Sequence, residues 1–192
     1  MLLVCTGNIC RSPLAHGFLV DRSHRYLDGR ISVRSAGTWA RDGSPATAEG
    51  VAAGVEAGID ISGHRSARFV ADLADWADVV LTMTVEQREE VLEAAPHAAS
   101  TTFTLKEAVA LLRELPPPVP PIDRESLARR IAELHRLRVE GAAPAVADED
   151  VADPLGMSAL TYRAVAAEIE GLIDGFLRGL GADLETARTG EA

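Results

Sequence analysis

The chain has 192 residues, a length that fits one domain with room for an elaboration. Its formal net charge of −10 argues against non-specific binding to nucleic acid, which needs a basic surface. No apolar run approaches the roughly 18 residues of a membrane span, and no signal peptide is visible. We therefore expect a cytoplasmic protein that binds neither nucleic acid nor a membrane. The two cysteines are too few for a disulfide framework.

Strands and helices alternate along the predicted chain. In order, we expect a strand at 1–4, a helix at 13–27, a strand at 31–35, helices at 46–57 and 69–76, a strand at 78–84, a helix from Thr84 to before Pro96, a strand at 101–105, and helices at 106–115, 123–139 and 158–180. Such alternation is typical of an α/β fold with a mostly parallel sheet. Ligands of these sheets bind beyond the carboxyl ends of the strands.

A proline-rich segment at 116–121, the helix at 123–139 and a loose stretch at 141–145 form the least regular part of the chain. We interpret them as a stiff spacer and a surface helix, with a docking site for a partner as the alternative. The sequence thus predicts a single domain over 1–182 that carries an elaboration at about 104–147. Residues 183–192 are expected to form a frayed tail.

The sequence VCTGNICRSP joins the first predicted strand to the first predicted helix. Its residues 5–12, here called the anion-binding loop, lie where loop N–H groups and the positive end of a helix dipole converge. Cys5 would place its sulfur in that concavity, where the same features stabilise a thiolate. Gly7 permits the positive φ that a nest of N–H groups often requires. Arg11 offers a fork matched to two phosphate oxygens, and Ser12 can donate its hydroxyl to the cysteine sulfur.

This string resembles, at every position, the phosphate-binding loop of the low-molecular-weight protein tyrosine phosphatases. Other tyrosine phosphatases carry Cys-x5-Arg late in the chain, whereas here it begins at Cys5. The resemblance implies a central four-stranded parallel sheet flanked by helices, Cys5 as the nucleophile and Arg11 as the phosphate clamp. It also implies that substrate contacts the remaining loop residues, which are Thr6, Gly7, Asn8, Ile9, Cys10 and Ser12.

A proton donor is expected opposite the nucleophile, because expulsion of a phenoxide whose acid has a pKa of about 10 is eased by protonation. Asp153 is the candidate, since Pro154 restricts it to an extended conformation in a loop just before a helix. Its acidic flank, residues 148–150, should add negative charge that favours a protonated carboxyl. In a second step the same carboxylate can activate water. The family carries an Asp-Pro loop at this late position, and Asp153-Pro154 matches it.

Three further residues have roles that rest mainly on the resemblance. In family members with a second loop cysteine, that residue forms a reversible disulfide with the nucleophile, which implies redox protection of Cys5 by Cys10; a small residue packed under the loop is the alternative. The family also holds the loop asparagine with a serine and a histidine from outside the loop. Ser35 and His64 match those positions, and they imply support of Asn8.

Trp39 is the candidate aromatic wall for a substrate ring, because an exposed loop tryptophan near this edge of the sheet can stack on it. A partly buried packing residue is the alternative. The chain departs from the family after Asp-Pro, where many members have aromatic residues and this one has Leu155-Gly156-Met157. That side of the cleft is therefore less aromatic.

These features predict a protein tyrosine phosphatase that acts on phosphotyrosine proteins through a cysteinyl-phosphate intermediate. We expect no metal or other cofactor, because the histidines show no ligand spacing. One alternative is an arsenate reductase on the same fold, but a disulfide-shuttling reductase needs a further cysteine, and none follows Cys10. The other is a non-catalytic phosphoprotein-binding module, which would be expected to lack the nucleophile or the acid. The sequence makes no prediction of the oligomeric state.

Overall fold

The computed structural model describes residues 1–26, 31–118, 123–141, 148–182 and 184. Its centre is a four-stranded parallel sheet with the strand order β2-β1-β3-β4. The strands are β1 (Leu2–Cys5), β2 (Arg34–Gly37), β3 (Val80–Thr82) and β4 (Thr102–Thr104). The predicted fold class, a parallel α/β sheet with the loop after its first strand, is confirmed.

Seven helices lie among the described residues. They are α1 (Arg11–Tyr26), α2 (Ala48–Glu56), α3 (Ala71–Trp76), α4 (Val85–Ala94), α5 (Leu105–Glu114), α6 (Arg124–Val139) and α7 (Ala159–Leu180). A short 3-10 helix at Pro96–Ser100, which the sequence did not predict, connects α4 to β4. Four predicted features lie wholly or mostly outside the described residues. They are the end of the first helix at 27, the second half of the proline-rich segment (119–121), the stretch at 142–145 and the tail, of which only residue 184 is described.

Helices cover both faces of the sheet. In β1, Leu3 and Cys5 belong to the larger core with α1, α5 and α7, while Leu2 and Val4 point into a second core formed with α3 and α4. Because β1 is buried on both faces, its sequence is a continuous apolar run instead of an alternating one. Cys5 therefore ends a strand fixed from every side, at the edge where ligands of parallel sheets bind.

Two predicted elements differ from the structure. β2 begins at Arg34, three residues later than predicted, because its partner β1 begins at Leu2 and Arg34 is the residue paired with it. The helix at 123–139 is not a surface helix: Ile131, Leu134 and Leu137 are buried in the main core, where α6 packs against α5. This helix is thus part of the folded unit.

Candidate active site

The anion-binding loop leaves β1 at Cys5 and enters α1 at Arg11. The Cys5 thiol is buried, and its sulfur accepts the backbone N–H of Asn8 at 3.2 Å. The Ser12 hydroxyl oxygen lies 3.0 Å from the same sulfur. This oxygen also accepts a hydrogen bond from the Asn8 side-chain amide at 2.8 Å, and the hydroxyl can donate its own proton to the sulfur or, at 3.4 Å, to the Ala36 carbonyl. Both contacts stabilise a thiolate at Cys5.

The positive φ of the loop occurs at Asn8 (φ 52°), not at Gly7 as the sequence analysis expected. Asparagine tolerates this left-handed conformation because its short polar side chain bonds locally. Here the side-chain amide nitrogen donates to Ser12 and, at 3.0 Å, to the Ser35 hydroxyl. The side-chain oxygen accepts the N–H of Ala67 at 2.8 Å. The completely buried Asn8 side chain therefore holds the loop to β2 and to the loop before α3.

His64 contacts the loop from outside, as its matching position implied. Its Nε2 lies 2.8 Å from the Asn8 carbonyl oxygen, and since a carbonyl can only accept, Nε2 carries the proton. Burial lowers the pKa of His64, and the bond to the Asn8 carbonyl offsets part of this lowering. The neutral ring with its proton on Nε2 is therefore the form that supports the loop.

The end of β2 supports the loop through backbone contacts. The N–H of Thr38 donates to the Cys5 carbonyl at 3.0 Å, and the N–H of Trp39 donates to the Thr6 carbonyl at 2.9 Å. A Cβ on Gly37 would lie 2.5 Å from the Thr6 oxygen and 2.8 Å from the Asn8 nitrogen. Only glycine allows β2 to approach the loop this closely.

Gln87, on α4, also supports the loop, a role that was not predicted from the sequence. Gln87 forms a capping box with Thr84, and its side-chain oxygen accepts the N–H groups of Thr84 and Met83, each at 3.1 Å. Its amide nitrogen donates to the Thr6 hydroxyl at 3.0 Å. The signal in the sequence was glutamine in place of glutamate, because only the amide can accept at the cap and donate to the loop at once.

Arg11 lies almost fully buried at the start of α1. Its guanidinium donates to the Val151 carbonyl at 3.0 Å and to a carboxylate oxygen of Asp153 at 2.7 Å. Among the described residues, its buried Nε has no hydrogen-bond partner. Arg11 therefore joins the loop to the segment that carries Asp153 and keeps one donor unused.

Asp153 lies in the loop before α7, with about half of its side chain exposed (46%). Its second carboxylate oxygen accepts the N–H of Leu155 at 3.1 Å. The neighbouring carboxylates have partners of their own. Asp150 accepts the N–H of Val85 at 2.8 Å, at the start of α4, and Glu149 contacts Arg88 at 3.2 Å.

The second cysteine, Cys10, lies on the far side of the loop. Its sulfur is 3.4 Å from the Tyr162 hydroxyl and 3.6 Å from the Thr47 hydroxyl, and both cysteine thiols are free. Burial raises the pKa of Cys10, so it is a thiol at neutral pH. Burial, together with the contact to Cys10, raises the pKa of Tyr162 to about 12.

The rim of the site is apolar. The Trp39 side chain is 66% exposed; its indole N–H donates to Glu90 at 2.5 Å, and the Arg68 guanidinium lies 5.6 Å from the centre of the ring. Leu155 and Met157, which follow the Asp-Pro pair, are also more than half exposed. Trp39 is thus an exposed ring and not a packing residue.

The described part of the chain has neither a membrane-spanning helix nor a cluster of metal ligands. None of its helices is both long and apolar enough to cross a membrane. None of its groups of histidine, cysteine, aspartate and glutamate brings three such side chains together as metal ligands.

A thiol at a strand end, inside a loop of N–H donors and beside an arginine, defines the class of cysteine-containing phosphate-binding α/β proteins. The family model described as low molecular weight phosphotyrosine protein phosphatase matches residues 1–134. A protein-arginine-phosphatase of Geobacillus stearothermophilus is 33% identical over 174 residues, which cover 91% of this chain and 90% of that protein. The low molecular weight protein-tyrosine-phosphatase Etp of Escherichia coli is 32% identical over 118 residues, or 62% of this chain and 76% of Etp.

The fold is also similar to a solved structure of a low molecular weight phosphatase. The low molecular weight protein tyrosine phosphatase from T. tengcongensis superposes with a TM-score of 0.68 at 32% identity, over 92% of this chain and 95% of that one. The chain belongs to the low molecular weight phosphotyrosine protein phosphatase family, and it is a phosphatase.

Proposed function

We propose that this phosphatase hydrolyses phosphotyrosine in proteins through a cysteinyl-phosphate intermediate. The observation that carries the proposal is the arrangement at the loop. The Cys5 sulfur receives the Asn8 N–H and lies beside the Ser12 hydroxyl, while Arg11 contacts Asp153. A nucleophile, an anion site and a carboxyl group that can donate a proton are thereby brought together from two distant parts of the chain.

In the first step the Cys5 thiolate attacks phosphorus. An S–P bond forms, the bond from phosphorus to the phenolic oxygen breaks, and the Asp153 carboxyl gives its proton to the departing oxygen. The loop N–H groups and Arg11 stabilise the charge on the phosphoryl oxygens. The Nε of Arg11, which has no partner among the described residues, is a further donor that the phosphate can use.

In the second step a water molecule attacks the phosphocysteine. The Asp153 carboxylate, left deprotonated by the first step, accepts a proton from that water, and the S–P bond breaks. Cys5 leaves as a thiolate that the Ser12 hydroxyl and the Asn8 N–H stabilise. Inorganic phosphate is released, and no metal or cofactor takes part in either step.

The preference for tyrosine rests on the apolar rim. Trp39 offers an exposed aromatic face, and the Ile9 side chain lies over Gly7, whose added Cβ would be 3.3 Å from it. A phenyl ring gains from stacking on the indole and from contact with the isoleucine methyl groups. Ile9 offers no acceptor to a polar substrate group.

Phosphoarginine is the second candidate substrate, because the relative that covers nine-tenths of this chain is named a protein-arginine-phosphatase. The same Cys5 and Asp153 chemistry can cleave a P–N bond, with Asp153 protonating the departing nitrogen. A guanidinium could also stack on Trp39, but the Ile9 side chain offers its N–H groups no acceptor.

The test is a comparison of kcat/KM for peptides of one sequence that carry phosphotyrosine, phosphoarginine or phosphoserine. The proposal predicts the highest value for phosphotyrosine and no turnover by Cys5→Ser. A preference for phosphoarginine that depends on Cys5 would overturn the substrate assignment alone. Undiminished hydrolysis by Cys5→Ser would overturn the mechanism.

A further inference from the structure

Lys106, the only lysine of the chain, lies at the base of the acid segment, defined here as residues 148–153. It is the second residue of α5, and only 17% of its side chain is exposed. Its ammonium group donates to the Asp150 carbonyl at 2.6 Å and contacts the carboxylate of Glu168 at 2.8 Å. A third oxygen, from Asp148, lies 3.8 Å away. The ammonium group thus has two acceptors within hydrogen-bond distance and a third carboxylate nearby.

These acceptors come from both sides of the loop that carries Asp153. Asp148 and Asp150 precede it in the acid segment, whereas Glu168 belongs to α7, the helix that follows it. Lys106 therefore connects the beginning of the loop to the element at its end. A lysine suits this task better than an arginine, because its ammonium donors are arranged around a point instead of in a planar fork.

The contact at Asp150 is next to the contacts that place Asp153. The N–H of Val151 donates to the Met83 carbonyl at 2.8 Å, and the Val151 carbonyl accepts from Arg11 at 3.0 Å. The Asp150 side chain binds the first N–H of α4. The backbone of residues 150 and 151 is thus fixed by Lys106, by Met83 directly after β3 and by the start of α4. This fixed backbone lies two residues before Asp153, whose side chain contacts Arg11.

We propose that Lys106 is a positioning residue for the general acid: by holding the Asp150 carbonyl and Glu168, it fixes the loop so that the Asp153 carboxyl meets the leaving group. This inference rests on the proposed acid role of Asp153. Half of the Asp153 side chain is exposed, so the carboxyl is not fixed by burial, and its position depends on the backbone that carries it. A proton donor acts only within hydrogen-bond reach of its acceptor, and a misplacement of about 1 Å can cost 10²-fold.

The test measures kcat/KM, which reports the transfer of the phosphoryl group to Cys5, for a series of aryl phosphates whose leaving phenols differ in acidity. Lys106→Met should lower kcat/KM roughly 10- to 100-fold for the most basic leaving groups and leave it nearly unchanged for the most acidic, which need no proton. Arg129→Met is the matched control. It removes one positive charge from an exposed surface pair with Glu125, far from the acid segment in sequence, and should match wild type on every substrate.

A double-mutant comparison separates positioning from a general structural effect. In an Asp153→Ala background, Lys106→Met should have no further effect, because the group it positions is absent. An equal loss on all substrates, or the same loss in the Asp153→Ala background, would overturn the proposal. If Asp153→Ala itself shows no dependence on the leaving group, the acid role fails, and the positioning role fails with it.

Glu168→Gln is a second variant that keeps Lys106 and removes one of its charged partners. It should show a smaller loss with the same dependence on the leaving group. Wild-type kcat/KM for this variant on every substrate, together with a leaving-group-independent loss in Lys106→Met, would contradict the role of the bridge to α7.

Discussion

A guanidinium nitrogen of Arg11 lies 2.7 Å from a carboxylate oxygen of Asp153, a residue 142 positions away in the sequence. The proposed phosphate clamp and the proposed proton donor are thus in direct contact. A phosphate that enters the loop competes with Asp153 for Arg11. Substrate binding would therefore release the carboxyl group towards the leaving oxygen, where it is needed.

Asp153→Ala should lower kcat/KM, which reports the first chemical step, by about 10²–10⁴-fold for a phosphotyrosine peptide, the usual range for loss of a general acid. The loss should shrink as the leaving phenol becomes more acidic, because such a phenoxide departs without a proton. Steady-state kinetics on substituted aryl phosphates measure this dependence. A loss of constant size across the series would remove Asp153 from the acid role.

Asn8→Ala should lower the free energy of unfolding by about 2–4 kcal/mol. It removes the bonds of this side chain to the N–H of Ala67 and to the hydroxyls of Ser12 and Ser35, and it puts alanine in a left-handed conformation. Denaturant unfolding measures the change. Ser35→Ala, which removes one of these bonds, is the control and should cost about 1 kcal/mol. An Asn8→Ala variant within about 0.5 kcal/mol of wild type would contradict the role of this side chain.

Cys10 should protect Cys5 from irreversible oxidation. Peroxide converts the Cys5 thiol to a sulfenic acid and water; the Cys10 thiol then displaces a second water to form a disulfide, which an added thiol reduces. After peroxide and then dithiothreitol, wild type should regain more activity than Cys10→Ala. Catalase added before the peroxide is the control, and it should preserve both proteins. Equal recovery of the two proteins would refute the protective role.

Tyr162 should make stability fall at alkaline pH. Its pKa is about 12 in the folded protein, against about 10 for an ordinary tyrosine. Since the folded state holds this proton more tightly, the stabilisation is complete below pH 10 and is lost as the pH rises towards 12. Urea unfolding between about pH 9 and 11.5 should therefore show a steeper loss for wild type than for Tyr162→Phe. Parallel curves for the two proteins would contradict burial of this hydroxyl.

The local parts of the fold could be predicted from the sequence. The loop between β1 and α1 depends on contiguous residues, and the capping box of Thr84 and Gln87 spans four. Gly58 has a φ of 84° just after the last turn of α2, a left-handed conformation that favours glycine at the end of a helix. In each case the physical cause lies within a few residues, so the pattern is visible in the chain.

The features that could not be predicted from the sequence depend on contacts between residues far apart in the chain. The residues around Arg34 do not show that β2 begins there because Arg34 pairs with Leu2 of β1. In the same way, the residues around Gln87 do not show that its amide binds Thr6. The left-handed residue was assigned to Gly7 on intrinsic preference, but tertiary bonds to Ser35 and Ala67 select Asn8. Such contacts are set by packing, which a single sequence does not display.

The most direct test of the central claim is detection of the covalent intermediate. After wild-type enzyme is mixed with an aryl phosphate and quenched in acid within one turnover, mass spectrometry should find one phosphoryl group on the peptide that contains Cys5. Cys5→Ala should show neither this modification nor any turnover. Turnover by Cys5→Ala at the wild-type rate, or a wild-type enzyme that is phosphorylated at another residue, would contradict the account.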